Sequence, residues 1–273
     1  MRRLSVLCVL AFLVLASPVL GQGTLIPNAS FPVVGSSGGA LGSFFRTAFQ
    51  LSNITGVPID VRLVFRPAGT PATLSDPTYV LHLGPRETRS YTDIVETMGQ
   101  TGLGSLDLYV DNVEGVPQIV TRVYNDAGPA GTTGFTEPVV LSYYHGLDTL
   151  NRIDYLLVPG DLDRYRFNIG IRTYSCPIFF PTSSDCAALY PSVDLLINVF
   201  DASGNPVRTL QKHFPNDLFL QQPAADFLEG PIGPNYSIQI FSGNGLAVMY
   251  GATADNTTQD SSAQFTKILA PVP

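Results

Sequence analysis

The chain has 273 residues, with charged side chains making up only 14% of it and a formal net charge of −7. Without a basic patch, nothing draws such a surface to nucleic acid or to anionic lipid. With 45% hydrophobic residues the composition is neither that of a disordered chain nor that of a membrane protein.

Residues 1–21 read as a secretory signal peptide: Arg2 and Arg3 precede a thirteen-residue apolar run, Leu4 to Ala16, followed by small residues and Pro18. The run is short for a bilayer core, which wants about 20 apolar residues. Cys8 lacks the small preceding residue of a lipoprotein signal. The mature chain is therefore expected outside the cytoplasm, secreted or periplasmic, with a net charge of −9 and no membrane insertion once the leader is removed.

Downstream, apolar residues alternate with polar ones. Phe45, Thr47, Phe49 and Leu51 form one such set, Val61, Leu63 and Phe65 a second, and Leu106, Leu108 and Val110 a third. Period two places one set on a buried strand face and the intervening residues toward solvent. Turns dense in Gly, Pro, Asn and Asp separate the runs, as in "NITGVP", "RPAG" and "DASGNP". Helical signals are short, "YTDIVETMG" and "PAADFLEG", each with an aspartate near its start.

The chain then repeats itself. "RTAFQLSN" from Arg46 is answered by "RFNIGIRT" from Arg166, setting Phe49 and Leu51 on Ile169 and Ile171. "VRLVF" from Val61 is answered by "LINVF" from Leu196, and "SLDLYV" from Ser105 by "SIQIFS" from Ser237. The helix-like pieces bring Asp93 against Asp226, and "RVYNDAGPAGTTGF" meets "GATADNTTQDSSAQF" with Asp126 near Asp255. The same order at an offset of about 120 to 135 residues predicts an all-β chain of two tandem antiparallel β-sandwich domains related by internal duplication. They span residues 30–137 and 155–267, with a linker at 138–154; the alternative is one continuous barrel built by both halves.

The second copy is longer between matched strands by an insertion at about residues 174–190. Cys176 and Cys186 lie in it, and in an exported chain such a pair is most simply a disulfide, worth about 3 kcal/mol by chain entropy. Ile178, Phe179 and Phe180 crowd apolar surface into the same loop. They are expected to fold back as a lid on the second sandwich, the alternative being an exposed contact patch for a partner.

The glycines of "YNDAGPAGTTGF", Tyr124 to Phe135, suggest a phosphate cradle, but such a loop needs a helix after it and a strand-like run follows. The second copy keeps the acidic position and loses the glycines, so a turn between strands is the expectation. Asn125, Asp126, Asp255 and Asn256 remain as candidate oxygen ligands for Ca2+; no other cofactor is expected. For hydrolytic chemistry, His82, His145 and His213 fall in no catalytic pattern, and Ser142, His145 and Asp148 form a triad only on paper. Asp161 and Asp163 read as turn residues paired with Arg164 or Arg166 rather than as glycosidase carboxylates. Glycan binding would rest on Tyr143, Tyr144, Tyr155, Tyr165 and Tyr190, since there is no tryptophan. Asn28, Asn53, Asn235 and Asn256 begin Asn-x-Ser/Thr sites that matter only in a eukaryotic secretory pathway.

Through "GSFFRTAFQLSN", "GLGSLDLYV", "RVYNDAGPAGTTGFTE", "RFNIGIRT" and "GATADNTTQD", the chain resembles exported bacterial proteins built from tandem β-sandwich modules, a group with no assigned activity. The resemblance implies export and fold and brings no catalytic residues. The expected function is a non-enzymatic module pair for surface interaction or structural support, with a cell-surface protein or polysaccharide as partner; a glycan-binding module is the alternative and a hydrolase the third reading.

Overall fold

The computed structural model describes residues 27–111, 115–141, 150–174 and 192–270. Their secondary structure is almost entirely strand. The N-terminal half holds β1 (Ala29–Gly38), β2 (Phe44–Ser52), β3 (Ile59–Pro67), β4 (Thr78–Leu83), β5 (Thr88–Tyr91), β6 (Gly102–Val110), β7 (Gln118–Asp126), β8 (Thr132–Glu137) and β9 (Val140–Leu141). The C-terminal half holds β10 (Leu150–Asn151), β11 (Ile153–Leu157), β12 (Tyr165–Tyr174), β13 (Ser192–Phe200), β14 (Pro206–Pro215), β15 (Phe219–Pro223), β16 (Ser237–Asn244), β17 (Leu246–Asp255), β18 (Ser261–Phe265) and β19 (Ile268–Leu269). Two one-turn helices, α1 (Ile94–Thr97) and α2 (Ala224–Phe227), cross between layers.

Each half stacks two layers. In the first, β4-β3-β6-β1 faces β5-β2-β7-β8, and β1 runs from one layer into the other by pairing Ser37 with Phe45. In the second, β14-β13-β16-β11 faces β15-β12-β17-β18. The order of neighbours is the same in both. Pairing is antiparallel throughout apart from the short β10–β19 contact. Among the described residues, one isolated bridge, Pro71 to Leu218, is the only strand-type contact between halves, so the sheets do not close into a common barrel.

The alternation read in the sequence fills these layers. Phe49, Leu51, Val61, Leu63, Phe65, Leu106 and Leu108 meet in one apolar core, and Ile169, Ile171, Leu195, Ile197, Val199, Ile238 and Ile240 in another. Strand pairing corrects two of the sequence alignments by one residue. Val61 pairs with Val110 and Leu195 with Ser242, so Val61 corresponds to Leu195 and not to Leu196. The register of β13 against β16 is unbroken from Leu195 to Phe200, and strict alternation buries Leu195, Ile197 and Val199 and turns Leu196 and Phe200 outward. Likewise Phe45 pairs with Asn125 and Tyr165 with Asp255, which sets Asp255 on Asn125 and Asn256 on Asp126.

The helices differ in their starts. Asp93 caps α1, accepting from the backbone N–H groups of Val95 and Glu96, whereas α2 begins after Pro223 without a side-chain cap. Asp226 lies within the first turn of α2, where α1 has Glu96, and not opposite Asp93.

Candidate interaction surface

A strand in a two-layer fold has an outer face as well as a core face, and in this chain the two halves treat that face differently. In β6, the outward residue between Leu106 and Leu108 is Asp107, yet it is buried. The outer face of the β12–β17 pair covers it. Arg172 on β12 donates from Nη2 to Asp107 at 3.0 Å, with both side chains about 1% exposed. Arg66 donates from Nε to the same carboxylate at 2.8 Å and from Nη1 to Asp76 at 2.8 Å. Ser30 adds a hydroxyl donor at 3.0 Å. Burial alone would raise the Asp107 pKa, but Arg172 and then Arg66 outweigh it and hold the carboxyl below its ordinary value. Arg172 also donates to the Thr173 carbonyl at 2.6 Å and stacks over the Tyr174 ring.

Apolar packing surrounds this ionic centre. Val33, Phe219 and Tyr250 are buried with Leu103, Phe135 and Phe265 against them, and Phe135 and Phe265 come from opposite halves. A second cluster gathers Leu246, Val248, Ile268 and Ala270 with Val140 of β9. Backbone bonds reinforce the junction: Gly69 N donates to Phe219 O at 2.8 Å and Ala72 N to Asp217 O at 2.9 Å.

In the C-terminal half the corresponding outer face, on β14-β13-β16-β11, has no such cover among the described residues. Three rows cross it. Leu196, Phe241 and Ile153 stand side by side in one, and Phe200, Ser237 and Leu157 in another. Between them lies a polar row in which Thr209 Oγ1 donates to Asn198 Oδ1 at 2.9 Å, Asn198 Nδ2 to Gln239 Oε1 at 3.3 Å, and Gln239 Nε2 to the Tyr155 hydroxyl at 2.6 Å. Ile153, Tyr155 and Leu157 are 38%, 51% and 60% exposed, an unusual amount of apolar surface for one edge strand. The free edge of β11 is occupied by side chains: Gln264 donates to Leu157 O and accepts from Leu157 N, and Asp154 accepts from Tyr155 N.

The four candidate calcium ligands are used as local braces. Asn125 Oδ1 accepts from Phe44 N at 2.9 Å, and Asp126 accepts from Arg46 Nε and Gly128 N, both at 3.1 Å. Asp255 accepts from Thr257 N, Thr258 N and Arg164 Nε at 2.7 to 3.0 Å. The Thr258 N–H, then the Arg164 guanidinium and the Thr257 N–H, bring its pKa down to about 2. Asn256 Oδ1 accepts from Arg166 and its Nδ2 donates to Asp163 O. Among the described residues no three His, Cys, Asp or Glu side chains are grouped to hold a metal.

His82 and His213 occupy matching cross-strand positions, 2.8 Å from Asp60 and 2.6 Å from Asp194, both exposed. Each aspartate edges a surface hollow of about 490 Å³. Asp161 accepts from Asp163 N and Arg164 N, the behaviour of a turn residue. Tyr155 is exposed and Tyr165 half-buried under Arg164. Cys176, Cys186, Ile178, Phe179 and Phe180 lie outside the described residues, as do Ser142, Tyr143, Tyr144, His145, Asp148 and Tyr190. Among the described residues no helix is long and apolar enough to cross a membrane.

Sequence reasoning passed over Arg66, Asp107, Arg172 and the Asn198–Gln239 row. One signal was present: matching "SLDLYV" to "SIQIFS" sets Asp107 on Gln239, a charge against a neutral amide at one outward position.

No family model and no curated protein matches the chain. Among solved structures it is similar to the major pilin from Streptococcus pyogenes at 11% identity, covering 81% of this chain and 91% of the pilin with a TM-score of 0.22. A point mutant of the same pilin gives 12% identity, the same coverage and the same score.

Proposed function

We propose that the chain works outside the cytoplasm as a non-enzymatic, rigid body made of two tandem copies of one β-sandwich, about residues 30–137 and 155–267, in a surface-interaction or structural accessory role. The matching neighbour order of the strands supports the duplication, and the arginine-led apolar leader supports export.

The observation that carries the reading is the junction. Two modules on a flexible tether keep their charges in water, because a buried, unpaired charge costs several kcal/mol. Here Arg172 gives up its solvent for a carboxylate on the other half, which commits the two halves to one orientation. The polar residues that suggest chemistry act meanwhile as turn braces and cross-strand partners.

The test is to express the full chain in a bacterium, fractionate the cells and sequence the mature N-terminus, then melt the purified protein by calorimetry. Export, a start near residue 22, one cooperative transition and no turnover of ester or glycoside substrates are expected. Cytoplasmic retention, two separate transitions, or turnover lost on His213→Ala would overturn the reading.

A further inference from the structure

We propose that the outer face of the β14-β13-β16-β11 sheet is a contact surface for a second copy of this chain, two such faces packing on each other in a closed two-fold dimer. The inference rests on the reading of the chain as a non-enzymatic interaction body.

The corresponding face of the N-terminal half is already a docking face. Its row Thr78–Val64–Asp107–Ser30 matches Thr209–Asn198–Gln239–Tyr155 by strand pairing, and the C-terminal half lies across it. In the C-terminal half nothing among the described residues plays that part, and Ile153, Tyr155 and Leu157 stay exposed.

The chemistry of the open face selects its occupant. A glycan site keeps polar groups free to meet sugar hydroxyls, whereas here Asn198, Gln239 and Tyr155 bond mainly to one another. A polar row satisfied within its own sheet can be buried at little cost. The three rows contain no charged side chain, and the nearest ones on this face, Asp194 and His213, pair with each other at 2.6 Å.

Mainly apolar rows flank the polar one, so a half-turn about an axis along the polar row lays Leu196, Phe241 and Ile153 of one copy on Phe200, Ser237 and Leu157 of the other. That is the self-complementarity a two-fold interface requires. Open head-to-tail stacking is disfavoured: the outer face of β5-β2-β7-β8, which would have to repeat the role of β12–β17, carries Gln50, Ser52, Thr88 and Ser90 bonded in polar pairs. Strand addition at β11 is blocked by Gln264 and Asp154. Three rows across four strands bury about 450 Å² per partner, or about 900 Å² in all, which is the size of a weak, transient interface rather than a permanent one.

The experiment is sedimentation equilibrium on the mature chain from about 1 to 300 µM. A monomer–dimer equilibrium is expected, with Phe241→Lys or Leu196→Lys weakening it at least tenfold while the melting temperature stays unchanged. Arg122→Glu, on another face, should leave it intact. Should the lysine variants fail to fold, Gln239→Cys serves instead, because a residue at the axis cross-links to its own copy on oxidation. A wild type that stays monomeric at 300 µM, that grows beyond a dimer, or whose face proves to bind arrayed oligosaccharides would overturn the proposal. Substrate turnover would remove the non-enzymatic reading but leave the dimer standing, whereas loss of the dimer alone leaves that reading intact.

Discussion

Arg172 of β12 and Asp107 of β6 meet 3.0 Å apart with about 1% of either side chain exposed, and this pair ties the two halves together. The partners are not equivalent. Removing Arg172 leaves Asp107 still held by Arg66 and Ser30, but removing Asp107 leaves the buried Arg172 with Asp217, at 3.8 Å, as its nearest carboxylate and takes one of two carboxylates from Arg66. Asp107→Ala should therefore cost about 3–5 kcal/mol in urea denaturation, and Arg172→Met distinctly less. Equal losses would mean that Arg66 does not share the charge.

The same carboxylate sets an acid limit. Its pKa lies below the ordinary value near 3.9, so its contribution is complete above that value and disappears as pH falls through the depressed folded-state value. The loss of stability between about pH 4 and 2 should be shallower in Asp107→Asn, measured by denaturant titration at each pH. An unchanged acid slope would assign it to other carboxylates.

Glu137 behaves in the opposite sense. It is 2% exposed, accepts from Val33 N at 2.5 Å through Oε1, and has no partner for Oε2 among the described residues. Burial drives its pKa well above the ordinary carboxyl value, with only the Val33 N–H opposing. Above about pH 4.3 the unfolded chain releases a proton that the folded chain keeps, so stability falls as pH rises toward the folded-state pKa, by up to about 1.4 kcal/mol per unit. Glu137→Gln keeps the acceptor for Val33 and removes the titration. Denaturation at pH 5 and pH 8 should show the wild type losing stability across that interval and the variant staying level.

Asp93 combines two duties, capping α1 through Val95 N and Glu96 N and receiving Arg46 Nη1 at 3.1 Å. Asp93→Ala loses both and should destabilise by about 2 kcal/mol, whereas Asp93→Asn keeps an acceptor for the cap and should cost less than half of that. Thermal unfolding of the two variants separates the cap from the charge, because Glu96 and Asp126 remain beside Arg46 in either.

These contrasts show which features a linear reading reaches. Phe49, Leu51, Val61, Leu63 and Phe65 were legible as core because period two is a local property of a strand. The order of matched strands was legible because short motifs recur in sequence. The Leu195 register was not, since the apolar neighbours Leu195–Leu196 and Val199–Phe200 fit alternation in either phase and only pairing with β16 fixes it. Nor was the burial of Asp107, whose cover comes from β12, 65 residues away. Asn125, Asp126, Asp255 and Asn256 looked like metal ligands because oxygen-rich turns serve cations and backbone N–H groups alike, and residue type alone does not separate the two. Whether a face is open or covered depends on tertiary docking, so the Asn198–Gln239 row acquires meaning only beside its counterpart, Val64–Asp107.

Gly170 on β12 lies directly opposite Tyr250 on β17, and the tyrosine ring folds over it. A Cβ built on Gly170 would come within 2.1 Å of Cζ and 2.4 Å of the hydroxyl oxygen of Tyr250. The ring has little room to retreat, being fully buried, flanked by Phe219 and Phe265, and tied by its hydroxyl to Gln221 Oε1 at 2.6 Å. Gly170→Ala should therefore cost about 1–3 kcal/mol through overpacking at the junction, although the strand backbone there accepts an alanine. Tyr250→Ala should cost about 3–5 kcal/mol by leaving a cavity. Once the ring is gone the added methyl no longer clashes, so the double variant should be less damaged than the two single losses together by at least about 1 kcal/mol. Strict additivity in that cycle would show that the glycine is not what lets the tyrosine lie flat between the two halves.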